Sequence, residues 1–597
     1  MAQYKAPVEE TLFLLNDVLG IGRHANLAGF ADATPDVIEA VLSEGGKFAE
    51  EQLFPLNRTG DVEGCTRHED GSVTTPTGFK EAFRAFAEGG WIGLSAEQQY
   101  GGQGLPYALA AAINEFVTSA NMAFGMYPGL TQGAVTALLL HGSEEQKKLY
   151  LPKLVSGEWT GTMNLTEPQA GTDLGLIRTR ASENGDGSFS ITGSKIFISA
   201  GEHDLAPNIV HLVLARIEGS PEGTKGISLF VVPKFLPDGE GNIGARNTLE
   251  CGAIEKKMGI HGNATCVMNY DSATGWLVGE RDKGLRAMFT MMNEARLGVA
   301  IQGLALSEVA GQNAAAYARE RRQGRAISGK TDKSEAADLI IVHPDIRRAL
   351  VSIRGFNIGA RMLMLSAALQ ADIAHRSQDE RERQAADDRL GLMTPVLKGV
   401  LTDRGFENTA AAQQVYGGHG YIAENGVEQF VRDARITQIY EGANGIQALD
   451  LVGRKLPKDG GRAATAWLKE VTGFIKENER DKKLAPFIEP LKAGLDDLQK
   501  ATNWFVLHAL MKPDNAGAGA TDYMHLFGLV ALAHAWAQIA RAANERLAAG
   551  DARADMLNNT LAVGQAYIER ALPETALRLA RITAGSGRLM AVPEAAF

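Results

Sequence analysis

Three cysteines in 597 residues, Cys65, Cys251 and Cys266, are too few and too far apart for a disulfide framework, and none forms a CxxC pair that could ligate zinc. They read as small buried hydrophobes in a reducing compartment. Positive charge is also short: 60 Lys plus Arg stand against 71 Asp plus Glu, and the net charge of −11 repels a phosphate backbone. Nucleic-acid binding by bulk charge is thereby excluded. No segment offers 18 uninterrupted apolar residues, and the opening MAQYKAPVEETLFLL has neither a basic n-region nor a small-residue cleavage site. A cytoplasmic protein with no transmembrane segment is expected. HExxH and GxSxG are missing as well, which removes the minimal parts of metal-assisted hydrolysis and of a serine esterase, so no metal site is expected. The twelve histidines are scattered, and His141, in LLLHGSEEQ, reads as a helix-end residue.

What is present is an ordinary folding composition, 45% hydrophobic and 22% charged, long enough for about four domains or one large multi-lobed body. After an N-terminal extension (1–35), residues 36–157 carry apolar residues at three- and four-residue spacing, as in PDVIEAVLSEGGKFAEEQLF and YALAAAINEFVTSANM, which is helical text. The period then changes. GSFSITGSKIFIS, NIVHLVLARI and GISLFVVP are short β-branched runs bounded by Gly, Pro and Asn, so residues 158–281 are expected to form a β domain. Residues 282–454 return to helices of bundle length. Past KLPKDGGR, a separate helical extension is expected over 455–597, interrupted by a loop at PDNAGAGATD. The fold class is α+β, with helical, β and helical lobes in that order.

Two strings imitate phosphate sites. GRAISGKT, residues 324–331, matches GxxxxGK[ST], whose physics needs a buried strand entering the loop and a helix leaving it, yet AAAYARERRQ precedes it. Lys330 is expected to be a solvated loop lysine, and a P-loop-type nucleotide-binding protein is the alternative from a different class. GIGRHA, residues 20–25, follows helical text with no βαβ unit around it.

Four other segments point to one chemistry. MNLTEPQAGTD, residues 163–173, holds turns imposed by Pro168 and Gly171 that free backbone amides and the hydroxyls of Thr166 and Thr172 for a ligand. GSKIFISAG puts Phe197 and Ser199 on one strand face by the period-2 rule, offering a flat ring and a hydroxyl to a planar heterocycle. QVYGGHGY, residues 414–421, has glycines that permit close backbone approach. Glu441, in RDARITQIYEGANGIQALD, sits in a Gly-flanked break between apolar runs, where a carboxylate of raised proton affinity can act as a general base.

Over residues 36–454 these segments, as TEPxAGxD, K-x-[WF]-I-[ST]-x-G, QxxGGxG and IYEG in that order, resemble the acyl-CoA dehydrogenase family. That resemblance implies an N-terminal helical domain, a central β-barrel or sandwich, a C-terminal four-helix bundle and, here, an extra C-terminal helical domain. It also implies FAD, an acyl-CoA substrate, and electrons leaving to an electron-transferring flavoprotein. Glu441 would be the α-proton base, its amide helping to hold the thioester carbonyl, with Tyr440 and Gly442 beside it on the substrate. Some relatives place the base where this chain has Ala295; Glu294 next to it is the alternative, on a different helix face. Met163, Leu165 and Thr166 would hold the pyrimidine side of the flavin, with Phe197 and Ser199 along the ring. Arg321, Gln323, Gln414 and Gly418 would reach the FAD pyrophosphate and adenine, the first two from a neighbouring subunit, although Gly324 and Arg325 stand where the family has Phe-Gly. Ala443 and Gly445 replace the usual Thr and Gln, so that backbone contacts serve the cofactor there. Thr172, Asn293 and Arg296 match positions that contact CoA. The length is similar to that of very-long-chain members and of a bacterial branch acting on 3-(methylthio)propanoyl-CoA, a step in dimethylsulfoniopropionate demethylation. A homodimer is expected, with a medium- or long-chain fatty acyl-CoA as the alternative substrate.

Overall fold

A computed structural model of the chain describes residues 2–509 and 511–597. They form two compact units, one of residues 43–298 and one of residues 1–42 with 299–597.

The unit of residues 43–298 begins with helices that include α1 (Tyr107–Ala120), α2 (Met122–His141) and α3 (Glu144–Val155). Local chemistry fixes their starts. The Asn121 side chain accepts the Phe124 amide at 3.0 Å, and Ser143 and Gln146 form a reciprocal capping box on α3. A seven-stranded sheet follows, made of β1 (Trp159–Asn164), β2 (Arg180–Glu183), β3 (Phe189–Ser199), β4 (Asn208–Ile217), β5 (Ser228–Pro233), β6 (Leu249–Ile254) and β7 (Thr265–Val278). Their order is β6-β7-β3-β2-β4-β1, and β5 pairs with both β7 and β4, which closes β4, β2, β3, β7 and β5 into a ring. The apolar run of β4 explains how the ring sits. Val210, Leu212 and Leu214 pack with Ala134, Leu138, Leu151 and Leu154 of the helices, while Val213, Ala215 and Ile217 fill the opposite core with Phe230 and Val232. A strand buried on both faces needs an unbroken apolar sequence. Gly161 lets β1 press on α2, since a Cβ there would lie 2.4 Å from that of Ala134.

The other unit is helical. The 37-residue helix α4 (Gly284–Glu320) enters it and packs with α5 (Pro344–Arg376) and α6 (Glu380–Val415). Gly303 and Gly405 allow close approach of α4 and α6: a Cβ on Gly405 would stand 2.3 Å from the Gly303 carbonyl oxygen. Then come α7 (Val427–Arg435), α8 (Asn444–Asp450), α9 (Arg462–Asn478), α10 (Ala485–His508), α11 (Pro513–Ala548), α12 (Ala554–Ala571) and α13 (Glu574–Thr583). The N-terminal segment joins this core, with Glu10 paired to the fully buried Arg361, which also bonds Glu308 at 3.1 Å.

The extra C-terminal helices pack into one compact unit with residues 299–454, where α11 lies against α5 and α6. Trp536 donates to the Gly355 carbonyl at 3.0 Å, and a Cβ on Gly399 would meet Met524 at 2.3 Å. The expected loop at PDNAGAGATD is instead the start of α11. Pro513 occupies the first turn, where its missing N–H costs nothing, and the small residues allow close packing, as at Gly519 against Phe505. Among the described residues, α11 is the one helix long and apolar enough to cross a membrane, and 89% of that apolar window is buried inside the protein.

Candidate active site

In the β-containing unit, β1 carries Met163 and then Leu165, both buried, into the turn at 166–173, where Thr166 is half-buried and Thr172 exposed. The turn is held from beneath. Glu167, 3% exposed, accepts the amides of Arg178 (2.6 Å) and Thr179 (3.0 Å), the Thr179 hydroxyl (2.6 Å) and the Lys195 ammonium (2.8 Å). Burial pushes the Glu167 carboxyl up, but Lys195 and these hydrogen bonds outweigh it and bring it down to about 2. Lys195, fully buried, also donates to the Leu165 carbonyl at 3.0 Å, and Thr166 accepts the Ile196 amide at 2.9 Å. Loop and strand β3 are thus one construction.

Strict alternation from Ile191 and Lys195, both buried, would turn Phe197 and Ser199 inward. The register of β3 on β7 slips between Cys266 and Met268, and Phe197 takes a left-handed conformation, φ +59°. The phase reverses there. Ile198 is buried, Phe197 is 60% exposed and Ser199 half-buried, so a flat ring and a hydroxyl share one outward face. Such a face can receive a planar heterocycle.

On α4, Asn293 is exposed and Arg296 buried at 9% exposure. Glu294 lies beside Thr136 of α2, and burial pushes its carboxyl up to about 8, more than the Thr136 hydrogen bond lowers it. Protonated at neutral pH, it is poorly suited to be the ready base. His141 ends α2 with Nε2 at 2.9 Å from the Thr290 hydroxyl.

In the helical unit, α7 gives way to a short 3₁₀ turn over Ile436–Gln438 and a sharp bend before α8. Glu441 sits at that bend with φ +55°, and Gly442 follows at +84°. Left-handed backbone at a glutamate costs of order 1–3 kcal/mol and persists where its surroundings over-determine it. Here they do. The Gln447 amide nitrogen donates to the carbonyls of Glu441 (3.1 Å) and Gly442 (3.2 Å), and the fully buried Lys398 donates to the Gly442 carbonyl (2.9 Å) and to Asn444 Oδ1 (2.8 Å). Tyr440 bonds Gln302 through its hydroxyl, Glu441 is half-buried, and Ala443 is exposed. Burial pushes the Tyr440 phenol well up, and the neighbouring Glu441 charge adds to this. A carboxylate displayed on a rigid, strained turn is suited to proton abstraction.

Arg321, Gln323 and Gln414 are exposed, and Gly417 (φ +58°) and Gly418 have open space where a Cβ would stand. Tyr317 stacks on Tyr416 with centroids 4.1 Å apart and bonds His419 Nδ1 at 2.7 Å, firming the glycine turn. The Walker-like loop is different. It follows the end of α4, not a strand, and its amides wrap an internal anion: Asp338 accepts Ala326 (2.9 Å), Thr331 (3.2 Å), Asp332 (2.9 Å) and the Arg325 guanidinium (3.2 Å). Lys330 is exposed. A carboxylate of the protein fills the place a phosphate would need.

Sequence reasoning missed the residues beneath these turns: Glu167 and Lys195 on one side, and Lys398, Asp403, Asn444 and Gln447 on the other. A lone lysine inside an apolar run, as in TPVLKGVL, was the available signal, since such a charge is buried only with partners.

Family models match along the chain: the acyl-CoA dehydrogenase N-terminal domain over 39–158, its middle domain over 162–273, its C-terminal domain over 282–456, and an acetyl-CoA dehydrogenase C-terminal-like region over 467–593. A 3-methylmercaptopropionyl-CoA dehydrogenase of Ruegeria pomeroyi is 42% identical over 97% of this chain and 98% of its own length. A broad-specificity linear acyl-CoA dehydrogenase of Mycobacterium tuberculosis is 36% identical over 84% of this chain and 83% of its own. The solved structure of an acyl-CoA dehydrogenase complexed with FAD from Bacillus anthracis shares the fold, with a TM-score of 0.74 at 20% identity over 93% of this chain and 89% of that one. With such matches running nearly end to end, the chain belongs to the acyl-CoA dehydrogenase family of flavin-dependent oxidoreductases.

Proposed function

We propose that this protein is an FAD-dependent dehydrogenase that forms the trans-2-enoyl-CoA from 3-(methylthio)propanoyl-CoA or a closely related acyl-CoA. The observation that carries the reading is the Glu441 turn, a carboxylate held in a left-handed bend by Gln447 and Lys398. The residues present fit the cofactor. Phe197 lies 60% exposed on a bulged strand, and Gly417 and Gly418 leave open backbone at a turn. Met163, Leu165, Thr166, Phe197, Ser199 and the Ala443 backbone would hold the flavin ring, Gln414 and Gly418 would reach the rest of FAD, and Arg321 and Gln323 would reach it from a neighbouring subunit. When bound, FAD supplies the acceptor for the β-hydride.

The chain's own residues do the remainder. Glu441 takes the α-proton on its carboxylate, and its amide donates to the thioester carbonyl as enolate charge grows there. Tyr440 and Gly442 flank the acyl group, while Thr172, Asn293 and Arg296 orient the CoA portion, so that proton and hydride leave from fixed positions. An electron-transferring flavoprotein as acceptor, a homodimer and a cytoplasmic location complete the proposal. The 36% identity to a broad-specificity linear acyl-CoA dehydrogenase favours a medium- or long-chain fatty acyl-CoA as the second reading.

The test is the visible spectrum of the purified protein without air, before and after 3-(methylthio)propanoyl-CoA and a series of straight-chain acyl-CoAs. Bleaching of a yellow flavin band by the first, faster than by the rest, supports the proposal. Faster bleaching by longer chains moves it to the second reading, and a colourless protein that FAD cannot reconstitute overturns both.

A further inference from the structure

One carboxylate ties together the two sides of the Glu441 turn. Asp403 Oδ1 accepts the Gln438 side-chain amide at 2.7 Å and the Asn444 side-chain amide at 2.7 Å, from three residues before Glu441 and three after it. Asn444 is itself fully engaged. Its nitrogen also reaches the Gly399 carbonyl (3.1 Å) and the Thr402 hydroxyl (2.9 Å), and its oxygen accepts Lys398, which holds the Gly442 carbonyl. Asp403 is therefore the hub on which the geometry of the bend depends.

The other oxygen of that hub is held by the C-terminal extension. His525 of α11, 5% exposed, has Nε2 at 2.9 Å from Asp403 Oδ2. Its Nδ1 is buried with no hydrogen-bond partner among the described residues. An ionised carboxylate can only accept, so the ring presents Nε2–H to Asp403 as a donor. Burial pushes the Asp403 carboxyl up, but the hydrogen bonds from His525, Gln438 and Asn444 outweigh it and keep it below the ordinary carboxylate value. The carboxylate keeps its charge and its three donors.

We infer that His525 is a positioning residue for the α-proton base: the extension helix holds the Glu441 bend in its reactive geometry through the His525–Asp403 hydrogen bond. The inference rests on Glu441 being the base. Its physical content is that a bend in a costly backbone conformation relaxes when one of its few holds is cut, and small displacements of a catalytic group are expensive in rate.

The experiment uses the holoenzyme and anaerobic rapid mixing, with whichever of 3-(methylthio)propanoyl-CoA, butanoyl-CoA and octanoyl-CoA bleaches the parent flavin fastest, in normal and α-deuterated forms. For His525→Leu, which keeps apolar packing, the limiting bleaching rate is expected to fall ~10-fold with the substrate concentration dependence changed by less than ~2-fold. The deuterium isotope effect should rise, because proton transfer becomes more fully rate-limiting. His525→Gln, whose amide can still donate, is expected to recover to within ~3-fold of the parent. A His525→Leu protein that melts earlier yet bleaches with the parent rate and isotope effect overturns the inference, and so does a His525→Gln protein as slow as His525→Leu. Should His525→Leu not fold, Gln438→Met decides, since it cuts another arm of the hub without touching α11: a slower rate with a raised isotope effect supports the inference, and parent kinetics overturn it. Glu441→Gln separates the two levels. If that variant bleaches like the parent, the base assignment itself has failed; if it is slow while His525→Leu is normal, only the role of His525 has.

Discussion

Phe197 and Glu441 are both non-glycine residues in left-handed backbone, φ +59° and +55°, one in each compact unit, and they are held in different ways. Phe197 sits inside a strand whose ladder resumes on either side, with Ile198 opposite Cys266 and Lys195 opposite Met268. Backbone pairing fixes it. Glu441 lies in a bend whose carbonyls are taken by side chains, Gln447 and Lys398, and whose flanks are tied to Asp403. Under each turn lies a fully buried lysine, but Lys195 meets the carboxylate of Glu167, whereas Lys398 bonds a backbone carbonyl and an amide oxygen. A turn held by a strand ladder is robust to most single side chains, while one hung on side chains can be tuned from a distance, including from an appended helix.

The largest effect should come from breaking the charged hold. In Glu167→Gln, Lys195 stays buried without its counter-charge, which costs ~3–5 kcal/mol. Thermal denaturation should show a clear drop in Tm and a loss of bound FAD. A Tm equal to the parent's would mean that the ladder alone holds the loop. Next comes Glu441→Gln, which keeps shape and removes only the proposed base. Turnover should fall ~10²-fold or more while the flavin absorbance is retained. Near-parent turnover would end the base assignment and send the test to Glu294.

Glu294 sharpens the contrast between two glutamates. Burial lifts its folded pKa to about 8 from 4.5 in the unfolded chain. Below about 4.5 both states carry the proton and the shift has no effect. As pH rises from there to about 8, the unfolded chain releases a proton that the folded one retains, so stability falls, by at most ~1.4 kcal/mol per pH unit. Glu294→Gln should flatten the Tm profile across that window and raise Tm most near pH 8. A profile parallel to the parent's would show that Glu294 is ionised in the folded protein and lies in a wetter place than its packing indicates.

The order of helical and β text was legible because hydrophobic period is a local property: the unbroken run of β4 and the three- and four-residue spacing of α1 could arise in few other ways. The bend at Glu441 was legible from its flanking glycine. The holds were not, because Asp403 and His525 lie 122 residues apart and meet only in the tertiary structure. PDNAGAGATD misled for a related reason. Gly and Asn favour turns in isolation, but Pro513 starts a helix and small side chains let its first turns pack, which propensity does not see. Alternation puts Phe197 and Ser199 on one strand face, although the bulge that reverses the phase of the strand has no signature in the sequence.

The smallest expected effect tests the same distinction from the other side. Lys195 and Lys398 belong to no nucleotide motif and are buried under the turns at Thr166 and Glu441; Lys330 completes a motif and is exposed. In GRAISGKT the amides that would cradle a phosphate already converge on Asp338, whose carboxylate is fully buried and held well below the ordinary range by the Ala326 and Asp332 amides. A phosphate brought there would face that negative charge, and no helix starts directly from the loop, since turns follow it until the 3₁₀ segment Ile340–Val342. Lys330→Ala should therefore leave flavin content, bleaching rate and Tm essentially unchanged, with stability altered by no more than about 0.5 kcal/mol. Loss of activity in that variant with FAD still bound would show that the loop recognises an anion after all. Asp338→Asn should then strengthen the effect by removing the competing carboxylate, whereas on the present reading it only loosens the loop.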